Sequence, residues 1–182
     1  MPSDPFVVSL VGPSGVGKTT LIERLIPILV AAGARVATVK HAPHGHDVDK
    51  PGSDSWRHRA AGAQAVLLAG ADGAVLFLAP EYGTHPDPTM HHQPGESDRL
   101  NRLAGLVATH LHDVDIVVAE GYAPLHDALI AIQRSDVPNK NIVDPPTPWF
   151  TISDTPTHGD YGFDQLAEVA ERILDRAHSR QS

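Results

Sequence analysis

The chain has 182 residues and a formal net charge of −8, a balance that argues against a surface built to neutralise nucleic-acid phosphates. It contains no cysteine, which excludes disulfides and thiolate metal sites and fits a reducing compartment. The length suits a single domain over residues 1–182, and the absence of a basic n-region or of roughly 18 uninterrupted apolar residues predicts a cytoplasmic protein with no membrane partner.

Residues 6–11 are an apolar run of buried-strand type. Residues 18–32 follow with Leu21, Ile22, Leu25, Ile26 and Leu29 at helical spacing, and Gly33 stops them. Pro27 lies inside that pattern and predicts a kink, because it removes one backbone hydrogen bond. Residues 35–40 give the second strand of a βαβ unit, which implies parallel pairing with a right-handed crossover. A loop rich in His, Asp, Pro and Gly covers 41–52, and a helix is expected over 53–61.

Two apolar runs, 65–68 and 75–78, flank an Asp-Gly turn, the pattern of a β-hairpin. An isolated hairpin is marginal in water and its edge invites another copy, so residues 64–79 are expected to form a dimerisation element. Residues 80–98 contain four prolines and little apolar content, which predicts a long flexible loop insertion. A helix over 99–112, a strand over 115–119, strands at 129–132 and 149–152, and an amphipathic helix over 163–178 complete the pattern. Strands alternating with helices specify an α/β fold around a mainly parallel sheet, with the hairpin as its antiparallel part.

Immediately after the first strand stand Gly12, Pro13, Ser14, Gly15, Val16, Gly17, Lys18, Thr19 and Thr20. They fit G-x-x-x-x-G-K-[ST] in the strand-to-helix context that this pattern demands. The glycines let successive backbone N–H groups face one concavity, which binds polyphosphate together with the positive end of the helix dipole. This is a phosphate-binding P-loop, and the fold class is a P-loop NTPase three-layer sandwich. Lys18 is expected to reach the β- and γ-phosphates and Thr19 to coordinate Mg²⁺. Parallel sheets gather ligands at the carboxyl ends of their strands, which favours Glu120 as the acidic partner of Mg²⁺ and leaves Asp115 a solvated residue at the strand start.

The P-loop does not name a reaction. More specific are Lys40-His41 at a strand end, His44, Asp47 and Asp49 in the following loop, Asp49-Lys50-Pro51-Gly52, Asp54-Ser55 with Arg57, and Ala61-Gly62-Ala63. With Glu120-Gly121 after an apolar strand, these residues resemble the MobB family, nucleotide-binding proteins of molybdopterin-guanine dinucleotide biosynthesis. The resemblance covers most of residues 6–135. It implies binding of GTP and Mg²⁺, at most a slow GTPase activity, a homodimer, and association with the guanylyltransferase that converts molybdopterin to its dinucleotide form. On that reading Lys18, Asp47 and Asp49 are the catalytic candidates, and Lys40 and His41 join the P-loop in holding the ligand. Asp154, after the last strand, is the candidate reader of guanine, since Ile142 spoils the N-K-x-D signature suggested by Asn139-Lys140.

Ser53 stands where the family usually has a lysine, Tyr122-Ala123 replaces a common basic residue, and the 80–98 loop is longer than usual. The pairs His44/His46 and His91/His92 lack the spacing of a zinc site and read as solvated loop residues. A small-molecule kinase or ATP-dependent ligase on the same fold is the alternative reading.

Overall fold

Runs of valine, isoleucine and leucine bounded by turn residues become strands in the computed structural model, which describes residues 4–40, 50–63, 65–70, 73–78, 105–111, 113–121, 127–138 and 147–181. The elements are β1 (Phe6–Val11), α1 (Lys18–Ala31), β2 (Val36–Lys40), α2 (Asp54–Ala60), β3 (Ala65–Gly70) and β4 (Gly73–Leu78). They continue with α3 (residues 105–110), β5 (Ile116–Glu120), β6 (Ala128–Gln133), β7 (Phe150–Ser153), β8 (Tyr161–Gly162) and α4 (Leu166–Gln181). Two compact units result, one drawn from Met1–His41 and Pro94–Ser182, the other from Ala42–Gln93.

In the first unit six strands form one sheet in the order β2-β5-β1-β6-β7-β8, and every pairing is parallel. β1 is buried along its whole length, as a central parallel strand covered on both faces must be. Side chains alternate across the sheet. Phe6, Val8, Leu10, Ile116, Val118, Ile130 and Ile152 pack with Leu21, Leu25 and Leu29 of α1 and with Val169 and Ile173 of α4. Val7, Val117 and Ala119 pack on the other face with Val107 of α3. The result is the expected three-layer sandwich. The hairpin is present, with Leu67 opposite Leu76 and Leu68 opposite Val75, but β3 and β4 form their own two-stranded sheet and are not part of the six-stranded one.

Pro27 lies within a single helix, α1, on its exposed side, where water can take the carbonyl that the missing N–H leaves unbonded. Ser53 caps α2 by accepting from the Trp56 N–H at 3.2 Å. Asp54 pairs with Arg57, three residues on along the same helix face, at 3.5 Å.

Asp115 corrects the sequence reading. It is no simple solvated residue: its carboxylate accepts the Arg35 backbone N–H at 2.7 Å and the Arg35 guanidinium at 2.8 and 3.2 Å, tying the start of β2 to the start of β5. The Arg35 side chain, then its backbone N–H, holds the Asp115 carboxyl below the usual carboxylate range. A depressed folded-state value means that this stabilisation is present above the unfolded value of about 4 and is lost as pH falls through the folded one. Urea unfolding should therefore show Asp115→Asn less stable than wild type by about 1 kcal/mol at pH 7, since the pair is partly exposed and screened. The gap should close towards pH 3, and a gap independent of pH would exclude the ion pair as its cause.

Two features escaped the sequence pattern. β8 is only two residues long, and α4 begins at Leu166, after a turn at Phe163 and Asp164. Residues 172, 176 and 180 lie one helical turn apart on α4 and clamp it to the amino ends of the sheet. Arg172 stacks on Trp149, Phe150 and Tyr161 with centroid distances of 4.8, 4.8 and 5.7 Å and donates to the Tyr161 hydroxyl at 3.1 Å. Arg176 lies over Trp149 at 5.2 Å, and Arg180 pairs with Asp127.

Candidate functional site

The loop from Gly12 to Gly17 joins β1 to α1. A Cβ on Gly12 would come within 2.4 Å of the Ile132 carbonyl oxygen, so only glycine allows the loop to leave the sheet beside β6. Gly17 has φ of +97° and provides no side-chain cap for α1, which leaves the first N–H groups of the helix for an anion. Lys18 then folds back, its ammonium donating to the carbonyls of Gly12 and Pro13 at 2.9 and 2.8 Å. Burial pushes its pKa below the ordinary lysine value, with Glu120 opposing and Lys40 reinforcing that shift. A cation so desolvated is favoured by an incoming negative charge.

The register brings the expected metal-site residues together. Leu10 and Lys40 both lie opposite Glu120 in the sheet, and alternation puts Glu120 and Lys40 on the face that α1 covers. The Thr19 hydroxyl donates to Glu120 Oε1 at 2.9 Å, and the Lys40 ammonium lies 3.3 and 3.4 Å from the two Glu120 oxygens. The Glu120 side chain is 15% exposed while that of Lys40 is 63% exposed. Lys18, Thr19, Lys40 and Glu120 thus form one cluster at the carboxyl ends of β1, β2 and β5.

Thr19 and Glu120 are hard oxygen donors, and Mg²⁺ characteristically takes one or two protein oxygens and completes its shell with water and phosphate. No group of three or more His, Asp or Glu side chains placed to hold a metal ion occurs among the described residues. His41, Asp47 and Asp49 lie outside the described residues, as do the histidine pairs 44/46 and 91/92.

Asp154 stands at the same edge, beyond β7. Its carboxylate accepts the Ser135 N–H at 3.0 and 3.1 Å and the Ser135 hydroxyl at 2.6 Å. The Ser135 hydroxyl, then its N–H, keeps the carboxyl below the usual range. Sequence reasoning missed Arg134, which donates from Nε to the Val16 carbonyl at 3.1 Å and lies over the Phe163 ring at 4.5 Å. Only its position just past an apolar strand, on the ligand side of a parallel sheet, could have flagged it. No helix among the described residues is long and apolar enough to cross a membrane.

The family model of molybdopterin guanine dinucleotide synthesis protein B, MobB, matches residues 7–147. The chain is 51% identical over 63 residues to the molybdopterin-guanine dinucleotide biosynthesis adapter protein of Haemophilus influenzae, a match covering 35% of each chain. It is 36% identical over 122 residues to the protein of the same description from Escherichia coli K12, covering 66% of this chain and 61% of that one. The matches therefore span less than two thirds of either relative. A crystal structure of a molybdopterin-guanine biosynthesis protein B superposes with a TM-score of 0.63 at 25% identity, covering 93% of this chain and 99% of that one. Bacillus subtilis MobB shares the fold, with a TM-score of 0.61 at 21% identity over 93% of this chain and 96% of the other. By the match over residues 7–147, with the P-loop at its start, the chain belongs to the MobB family of molybdopterin guanine dinucleotide synthesis proteins.

Proposed function

We propose that this chain is a cytoplasmic adapter of molybdopterin guanine dinucleotide biosynthesis that binds GTP with Mg²⁺, hydrolyses it slowly, and assists the guanylyltransferase acting on molybdopterin. The observation that carries this reading is the cluster of Lys18, Thr19 and Glu120 beside a P-loop whose glycines and uncapped helix can receive phosphates. The backbone N–H groups and the Lys18 ammonium hold the phosphate chain, and the ammonium exchanges its carbonyl partners for phosphate oxygens. Thr19 and Glu120 hold Mg²⁺, which neutralises phosphate charge when bound. Lys40 balances Glu120 and offers a second cation to the ligand. His41, the residue after Lys40, and Asp47 and Asp49 remain proposed ligand and catalytic groups on the sequence pattern alone. Similarity to molybdopterin-guanine dinucleotide biosynthesis adapter proteins supports the pathway, and a homodimer through β3 and β4 is part of the proposal.

Calorimetry with Mg²⁺ should show tighter binding of GTP than of ATP. Turnover should fall well below the usual enzyme range of about 1 to 10³ per second and respond to the guanylyltransferase. Thr19→Ala should lose most of the Mg²⁺ dependence of binding while retaining measurable GTP affinity. ATP preference with fast, acceptor-dependent ADP release would replace the adapter with the kinase alternative. An unchanged Mg²⁺ response in Thr19→Ala would remove that hydroxyl from the metal site.

A further inference from the structure

At the carboxyl ends of β6, β7 and β8 lies an open depression of about 530 Å³, lined by Arg134, Asp154, Pro156, Phe163 and Gln165 among others. That volume lies within the usual range of small-ligand sites, and the phosphate cluster does not use it. Arg134 connects the two. Its Nε is bound to the Val16 carbonyl of the P-loop and one face of its guanidinium rests on Phe163, yet the residue is exposed. With Nε held by Val16, one side over Phe163 and Gly17 close to Nε and Nη2, a ligand would reach the guanidinium from the side opposite the ring or at its outer edge. A planar cation backed by an aromatic ring, with its other face open, is a stacking surface for a planar heterocycle.

Asp154 is less available than its place suggests. A carboxylate has about four acceptor positions, and Ser135 occupies three of them, one on Oδ1 and two on Oδ2. Accepting both guanine N1–H and N2–H would require a free position on each oxygen. The carboxylate instead fixes the turn that follows Arg134.

We propose that the nucleobase is held by stacking on the Arg134 guanidinium, with Phe163 supporting it from behind, and that Asp154 is a positioning residue acting through Ser135. This rests on the nucleotide-binding reading above and names the part of the site that holds the base. Stacking on a guanidinium accepts guanine and adenine alike, so it contributes affinity without discriminating between them.

The test compares GTP, ATP and inorganic tripolyphosphate, each with Mg²⁺, by calorimetry on wild type, Arg134→Lys, Phe163→Leu and Asp154→Asn, with thermal melts to confirm folding. Wild type should bind GTP more tightly than tripolyphosphate. Arg134→Lys and Phe163→Leu should weaken GTP and ATP about tenfold each, on the scale of lost stacking, and leave tripolyphosphate unchanged. Asp154→Asn should leave the GTP-to-ATP ratio at its wild-type value. Equal wild-type affinity for GTP and tripolyphosphate would overturn the platform while the phosphate site stands. Equal weakening of tripolyphosphate and GTP in both platform variants would reduce Arg134 to a support for the P-loop. A shifted GTP-to-ATP ratio in Asp154→Asn would return base reading to that carboxylate. Failure of wild type to bind any of the three would remove the nucleotide reading itself, and the platform with it.

Discussion

Lys18→Ala is expected to bind GTP at least about a hundredfold more weakly than wild type and to melt at nearly the same temperature. Loss of charge-assisted bonds to two phosphate groups removes about 3 kcal/mol, and each 1.4 kcal/mol is a factor of about ten. The fold should survive because Lys18 is only partly buried and bonds loop carbonyls, not the core. Alanine at the first position of α1 also favours the helix. Titration with a fluorescent GTP analogue reads the first effect and a thermal melt the second. Wild-type affinity in a folded Lys18→Ala would detach nucleotide binding from the P-loop.

The second large effect is expected at the hairpin. Leu67 and Leu76 face each other across β3 and β4 and are 65% and 43% exposed, with Leu68 and Val75 at 53% and 42%. Leu67 and Leu76 share one face of the two-stranded sheet and Leu68 and Val75 the other, and an exposed apolar pair of this kind is what the proposed dimer would cover. In a two-fold dimer each substitution counts twice, and burying a leucine contributes about 2 kcal/mol. The double variant Leu67→Lys, Leu76→Lys should therefore raise the dimer dissociation constant by about a thousandfold or more. Light scattering should find a dimer for wild type and a folded monomer for the variant. A dimer of unchanged strength would move the interface elsewhere, and a monomeric wild type would end the homodimer proposal.

What the sequence made legible was local or governed by a strict rule. The P-loop is contiguous, so its spacing alone placed Lys18 and Thr19. The place of Glu120 at the P-loop end of the sheet was readable from its position at a strand exit, and its bond to Thr19 spans 101 residues of sequence. Arg134 was not readable, because its role comes from a contact 118 residues away on Val16 and from Phe163, with no motif to announce either. Asp115 was misread because its partner Arg35 meets it only after β2 and β5 pair. β8 carries too few residues to show any period, and the turn after it hid the true start of α4.

The arginine clamp of α4 lies at the amino ends of β6, β7 and β8, and the ligand cluster lies at the carboxyl ends of β1, β2 and β5. The family model ends at residue 147, before Trp149 and every arginine of the clamp. The anchor of α4 and the candidate phosphate cluster thus sit at opposite ends of one sheet. The C-terminal segment carries the anchor and also Asp154 and Phe163 of the proposed base platform. A substitution in the Lys18, Thr19, Lys40 and Glu120 cluster therefore leaves untouched the arginine contacts that hold α4 at the far end of the sheet.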